Sequence, residues 1–210
     1  GSQRFNQAQA TCDDFSTLAE QVLAIPKRAS RKLKPAQAWA CSQLRAAVFN
    51  AALTRRIDTL SMANRAKMSQ NFEQGWQTIL PGDVAMRYPG HSVFQVDLVS
   101  SEDELATLQS RSRARELVVA GTLIGQAQKG PALAGLAAEL QVAIDEQLGE
   151  ATMQKLCALQ TQSWRALWVW PMELSMSQPA VQDSIWLEFS LPAGAYATEF
   201  IRELERCYQT

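Results

Sequence analysis

The sequence is poor in the residues most often used for chemistry. It has one histidine, His91, and four cysteines, Cys12, Cys41, Cys157 and Cys207, with no CxxC pair among them. A His-based triad would have to use His91, and a structural zinc site lacks its usual ligands. His91 follows Pro89-Gly90 and reads as an exposed turn residue. Scattered cysteines without a framework suit a reducing cytoplasm. No apolar run reaches membrane-spanning length, and no basic-then-apolar leader is visible. There is no P-loop, GxGxxG, internal repeat or heptad array. The chain also has little net charge, −1, with a pI of about 5.9. That argues against indiscriminate nucleic-acid binding but leaves room for a local basic patch.

What is present is an ordinary globular composition. The 210 residues are 47% hydrophobic and 20% charged, enough for one large or two small domains. Helical spacing runs over 8–25, with Asp13 and Asp14 in the first turn and Pro26 as the stop. Lys27–Lys34, KRASRKLK, carries five cations and no acid. It is either a solvated loop or a phosphate-binding segment. Pro35 then opens a helix to about Leu60. Trp39, Leu44, Val48, Leu53 and Ile57 mark its inner face, with Arg45, Arg55 and Arg56 outward. A further helix is expected over 65–80, closed by Pro81-Gly82.

Past that break the pattern is mixed. Strands are expected over 83–88 and 92–98. Ser101-x-x-Glu104 is a capping box for a short helix. A strand follows over 116–124, then a loop over 125–130. Two more helices span 131–148 and 151–162, with Gly149 between them. Residues 166–170 look like a central strand that pairs with a strand over 185–191. Helices dominate to about Gln162 and strands thereafter, which marks a candidate domain boundary.

The last stretch, Leu191–Leu204 (LPAGAYATEFIREL), reads as strand, turn, helix. Pro192 and Gly194 suit a tight turn. Ala197, Phe200, Ile201, Leu204 and Tyr208 recur at helical spacing. Such a turn is either the docking point of an amphipathic helix or a place where free N–H groups meet an anion.

LPAGAYATEFIREL resembles the LPAGSYAT…REL segment of the tRNA pseudouridine synthase D family. Other segments resemble that family in the same order. Gln3, Arg4 and Phe5 match a Gln-Arg-Phe, with Asn6 in place of the usual Gly. Arg45, Phe49, Asn50 and Arg56 match a helix, residues 82–97 a Gly-Asp hairpin, and Thr122 and Gly125 a loop. RALWVWPMEL at 165–174 resembles the segment preceding the terminal motif. The resemblance implies an α+β fold. Residues 1–164 would form a mostly helical insertion domain with small β hairpins. Residues 165–210 would be the last strands and helix of a pseudouridine synthase catalytic domain.

The resemblance further implies an isomerase that turns a D-stem uridine of tRNA into pseudouridine, in the cytoplasm, with no cofactor, metal or membrane. Such chemistry needs a carboxylate at the ribose and a flipped-out base. The family's catalytic Asp lies in a Gly-x-Lys-Asp segment, and these 210 residues contain none. The chain alone is therefore expected to be inactive, with a missing N-terminal half as partner. Residues implied to line the site are Gln3, Arg4, Phe5, Leu191, Pro192, Gly194, Tyr196, Thr198 and Arg202. Ala195 stands where the family usually has Ser. Phe5 and Phe200 read better as core. Residues expected to contact RNA are Lys27, Arg28, Arg31, Lys32, Lys34 and Arg45. The alternative is a non-catalytic RNA-binding or protein-interaction module derived from the same family.

Overall fold

The computed structural model describes residues 15–26, 33–66, 75, 77–178, 185–192, 195 and 197–208. Those residues divide into two compact units, with the division between Leu167 and Trp168.

The first unit begins with α1 (Ser16–Leu23) and α2 (Pro35–Ala66). Phe15, Leu18, Ala19, Val22 and Ile25 of the α1 segment recur at helical spacing and are buried. They pack with Cys41, Leu44 and Val48 of α2. Ile144 and Leu148 of α4 (Gly135–Leu148) and Leu156 of α5 (Glu150–Leu159) complete this helical core. Lys155 fastens α5 to α1 by donating from Nζ to the carbonyl of Ile25. Gly149 forms the break between α4 and α5, as expected.

The second layer is a four-stranded antiparallel sheet in the order β2-β1-β3-β4. Its strands are β1 (Val84–Arg87), β2 (Val93–Gln95), β3 (Leu117–Leu123) and β4 (Ser163–Ala166). Val84, Ala85, Met86 and Leu117–Ala120 are buried, so the centre of the sheet is covered. Between β2 and β3 runs α3 (Glu102–Arg113). Its N-terminus carries the expected capping box, with the Ser101 hydroxyl accepting from Glu104 N–H at 3.2 Å. The Glu104 carboxylate accepts from Ser101 N–H at 2.8 Å.

Helix α2 lies against the sheet, and Gly121 marks the point of closest approach. A Cβ there would sit 2.8 Å from the Phe49 ring and 2.9 Å from Leu167 Cδ2. Glycine at 121 is what lets the aromatic ring reach β3. The Arg165 guanidinium on β4 covers the same ring at 5.3 Å from its centroid.

The second unit holds a two-stranded antiparallel hairpin and a helix. β5 (Met172–Ser177) pairs with β6 (Trp186–Ser190), and α6 (Ala197–Tyr208) follows. Phe200 of α6 meets Phe189 of β6 edge-to-face, with centroids 4.7 Å apart. That is the core role expected of Phe200.

Four expectations are corrected. Helix α2 extends past Leu60 to Ala66, while residues 77–80 are not helical. Polar side chains hold the backbone of 78–80 instead of a helical ladder. Arg56 donates to the Thr78 carbonyl, Gln109 to that of Ile79, and Asp83 accepts from Leu80 N–H. Residues 167–170 form no strand, and the partner of β6 is Met172–Ser177. Within that apolar run Trp168 and Trp170 pack edge-to-face, with centroids 6.1 Å apart. Trp39 is 52% exposed and does not join the core. Arg45 and Arg56, both placed outward by their spacing, turn inward: Arg56 is 3% exposed, and the Arg45 guanidinium donates to the carbonyls of Leu123 and Thr161. Residues 8–14 of the first expected helix lie outside the described residues.

Candidate functional site

The residues that carry the family resemblance in the first unit meet along one side of α2. Arg45, Phe49 and Arg56 are spaced by four and seven positions, which on an α-helix brings all three near one face. Each reaches a different part of the sheet.

Arg45 holds the junction where β3 ends and β4 begins. Its guanidinium donates to Gln160 Oε1 at 3.1 Å, the Leu123 carbonyl at 3.1 Å, the Thr161 carbonyl at 2.9 Å and Ser163 Oγ at 3.1 Å. Guanidinium suits this task because its donors are fixed in one plane and can serve several acceptors together. Beside it, Cys41 is a buried thiol whose pKa is pushed up, mainly by loss of solvent. Thr122 is buried and accepts at its hydroxyl from Gln162 Nε2 at 3.1 Å. A Cβ on Gly125 would meet the backbone of 160–162 at 2.5–2.7 Å. Thr122, on β3, and Gly125, just past it, thus seat the β3–β4 connection.

Arg56 makes a bidentate ion pair with Asp83, at 2.7 Å and 2.8 Å. It also donates to Thr78 O at 2.6 Å, and Asp83 accepts from Leu80 N–H at 2.8 Å. Both charges are buried, so each depends on the other and on these extra bonds. Gly82, just before Asp83, has φ of +84°, and a Cβ there would lie 2.5 Å from the Ala134 carbonyl oxygen. The Gly-Asp dipeptide therefore needs both residue types. Glycine supplies the left-handed backbone and close approach, and aspartate answers the buried arginine.

In the second unit, Leu191 and Pro192 are half-buried at the end of β6. The expected turn is closed by Ala195 N–H donating to Pro192 O at 3.1 Å. Thr198 and Arg202 are exposed and one turn apart on α6. Gln3, Arg4, Phe5, Lys27, Arg28, Arg31, Lys32, Gly194 and Tyr196 lie outside the described residues. Lys34 is exposed just before α2, and its N–H donates to Gln37 Oε1 at 3.0 Å. His91 is exposed on the β1–β2 turn, as expected. Among the described residues no three His, Cys, Asp or Glu side chains gather as a metal site. No helix among them is long and apolar enough to cross a membrane.

The family model for tRNA pseudouridine synthase D (TruD) matches residues 40–204. The chain belongs to the tRNA pseudouridine synthase D family. A tRNA pseudouridine synthase D from Nitrosococcus oceani is 30% identical over 165 residues, covering 79% of this chain and 40% of that relative. A crystal structure from Methanosarcina mazei, described as a tRNA pseudouridine synthase D (TruD), has 17% identity and a TM-score of 0.54. It covers 89% of this chain and 43% of its own. The chain therefore spans about two fifths of the length of these relatives. Sequence reasoning identified the family but misread Arg45 and Arg56 as outward-facing. The signal for the burial of Arg56 was Asp83, a lone acid beside glycine at the start of an apolar strand.

Proposed function

We propose that this chain is the C-terminal part of a tRNA pseudouridine synthase that isomerises a D-stem uridine to pseudouridine. The observation that carries the reading is the continuous family match over 40–204. In this reading residues 1–164 form one wall of the RNA cleft, and 165–210 supply the last strands and helix of the catalytic domain. Gln3, Arg4, Phe5, Leu191, Pro192, Gly194, Tyr196, Thr198 and Arg202 line the uridine site. A further support is apolar surface. Leu174, Met176, Ile185 and Trp186 of the C-terminal hairpin are exposed. Side chains of that size at a sheet surface suit coverage by more polypeptide.

The chemistry assigns the rest. Isomerisation breaks an N-glycosidic bond and makes a C–C bond, and a carboxylate at the ribose has to act as nucleophile or base. No Gly-x-Lys-Asp segment occurs in the 210 residues, so the carboxylate comes from polypeptide outside this sequence. The residues present position RNA.

The test is pseudouridine formation in a tRNA transcript. The chain alone should form none. Adding polypeptide that carries the family's Gly-x-Lys-Asp segment should restore turnover, and changing that Asp to Asn should abolish it. Turnover by the chain alone would overturn the reading. Failure of complementation with retained tRNA binding would point to the RNA-binding module instead.

A further inference from the structure

The junction of α3 and β3 carries an arginine where the backbone favours glycine. The turn is a complete Schellman motif. Glu116 N–H donates to Arg111 O at 2.9 Å and Arg115 N–H to Ser112 O at 2.9 Å. The residue this motif places in the left-handed region is most often glycine. Here it is Arg115, with φ of +62°. A glycine would relieve that strain, so the chain carries at Arg115 a backbone cost that glycine would remove.

The folded chain brings more arginine to the same corner. Arg87, far away in sequence, is the register partner of Leu117. Tyr88 N–H donates to Glu116 O at 2.8 Å, which holds the β1–β2 turn against the Schellman turn. Arg87, Arg113 and Arg115 are all exposed. Residues 85–93 and 110–118 together contain four arginines and a single acid, Glu116. That acid is held by Arg111, with Nε–Oε2 at 3.0 Å. The acids of α3 (Glu102, Asp103 and Glu104) sit at its other end. The corner is thus a strongly cationic surface assembled from two separate segments, neither of which includes Lys27–Lys34 in the sequence.

We propose that Arg87, Arg113 and Arg115 form a binding surface for the phosphate backbone of tRNA. The inference rests on the tRNA-directed reading above. Guanidinium groups bind phosphate bidentately and without regard to base sequence, which suits a surface that positions a folded RNA. Binding of this kind releases counterions and depends on salt.

The probe is a tRNA transcript, titrated against the full chain over a range of salt concentrations. Arg115→Gly should keep or raise the melting temperature, because glycine fits the turn better, yet it should weaken tRNA binding. The log–log salt slope should fall by about 0.7–0.9 for that one phosphate. The triple variant Arg87→Ala, Arg113→Ala, Arg115→Gly should reduce the slope by about 2–3. If wild type binds tRNA and both variants keep its affinity and slope, this inference falls and the tRNA reading stands; that is also the result if the corner serves an acidic protein surface. If wild type binds no tRNA, this inference falls, and the tRNA reading is decided by the complementation experiment above.

Discussion

At the residue scale the buried Arg56–Asp83 pair dominates. Removing one partner of a buried pair strands the other charge, at a cost of about 3–5 kcal/mol. Arg56→Met should therefore lower stability by about that amount in chemical denaturation, and Arg56→Lys should also destabilise because a lysine cannot reproduce the fork. The double variant Arg56→Met, Asp83→Leu should recover only part of the loss. It removes both charges but leaves Leu80 N–H without the acceptor it has at 2.8 Å. Full recovery in the double variant would show that the Leu80 bond is dispensable. Asp145 gives a second prediction. Burial raises its carboxyl above the usual carboxylate range, against a 2.7 Å hydrogen bond from Gln141 that lowers it. The folded state then holds this proton more tightly than the unfolded chain, so ionisation costs stability. The cost is absent below about pH 4 and fully present above the raised folded value. Asp145→Asn keeps an acceptor for Gln141 and removes the charge. Its melting temperature should exceed wild type at neutral pH and match it near about pH 3. An equal gain at both pH values would exclude ionisation as the cause.

At the element scale, α2 is the rod on which the first unit is assembled. One face contributes Leu44 and Val48 to the helical core, while Arg45, Phe49 and Arg56 grip the sheet and the segment leading into it. Its register against β3 depends on the space above Gly121. Gly121→Ala should push against the Phe49 ring and Leu167 and destabilise by about 1–3 kcal/mol. Adding Phe49→Leu should return part of that loss by making room, although it gives up the stacking with Arg165. Equal stability of Gly121→Ala and wild type would mean that the helix and sheet can separate at no cost. These elements were readable in the sequence where periodicity was strong. The Ser101 capping box, the strand over 117–123 and the break at Gly149 all fell where expected. The segment 77–80 misled because its order comes from three side chains, two of them distant in sequence, which no local pattern encodes.

At the scale of the whole molecule, the proposed tRNA substrate needs cations to hold it. Lys27, Arg28, Arg31, Lys32 and Lys34 carry five charges in eight residues. If they bind phosphates, replacing all five with Ala should weaken tRNA binding and reduce the salt slope by about 0.7–0.9 for each phosphate no longer neutralised. An unchanged slope would identify a solvated loop. The α3–β3 corner supplies a second set of cations, and additive losses on replacing both sets would show that they bind the RNA independently.

Family membership and most helices and strands were legible in the sequence, because motifs and hydrophobic periods are local and survive as text, whereas the helix expected over 65–80 and the strand expected over 166–170 were not found among the described residues. Also legible was the turn after β6, where Pro192 and Ala195 close a hydrogen bond over a short span. The destination of each charge was decided only by the tertiary structure. Arg56 and Arg115 are both arginines on or beside a helix, yet one is buried against Asp83 and the other is exposed at a strained turn. Periodicity counts apolar positions and is blind to a partner far along the chain. Whether an arginine is a fastener or a hand held out to a ligand depends on that partner, and folding alone brings it near.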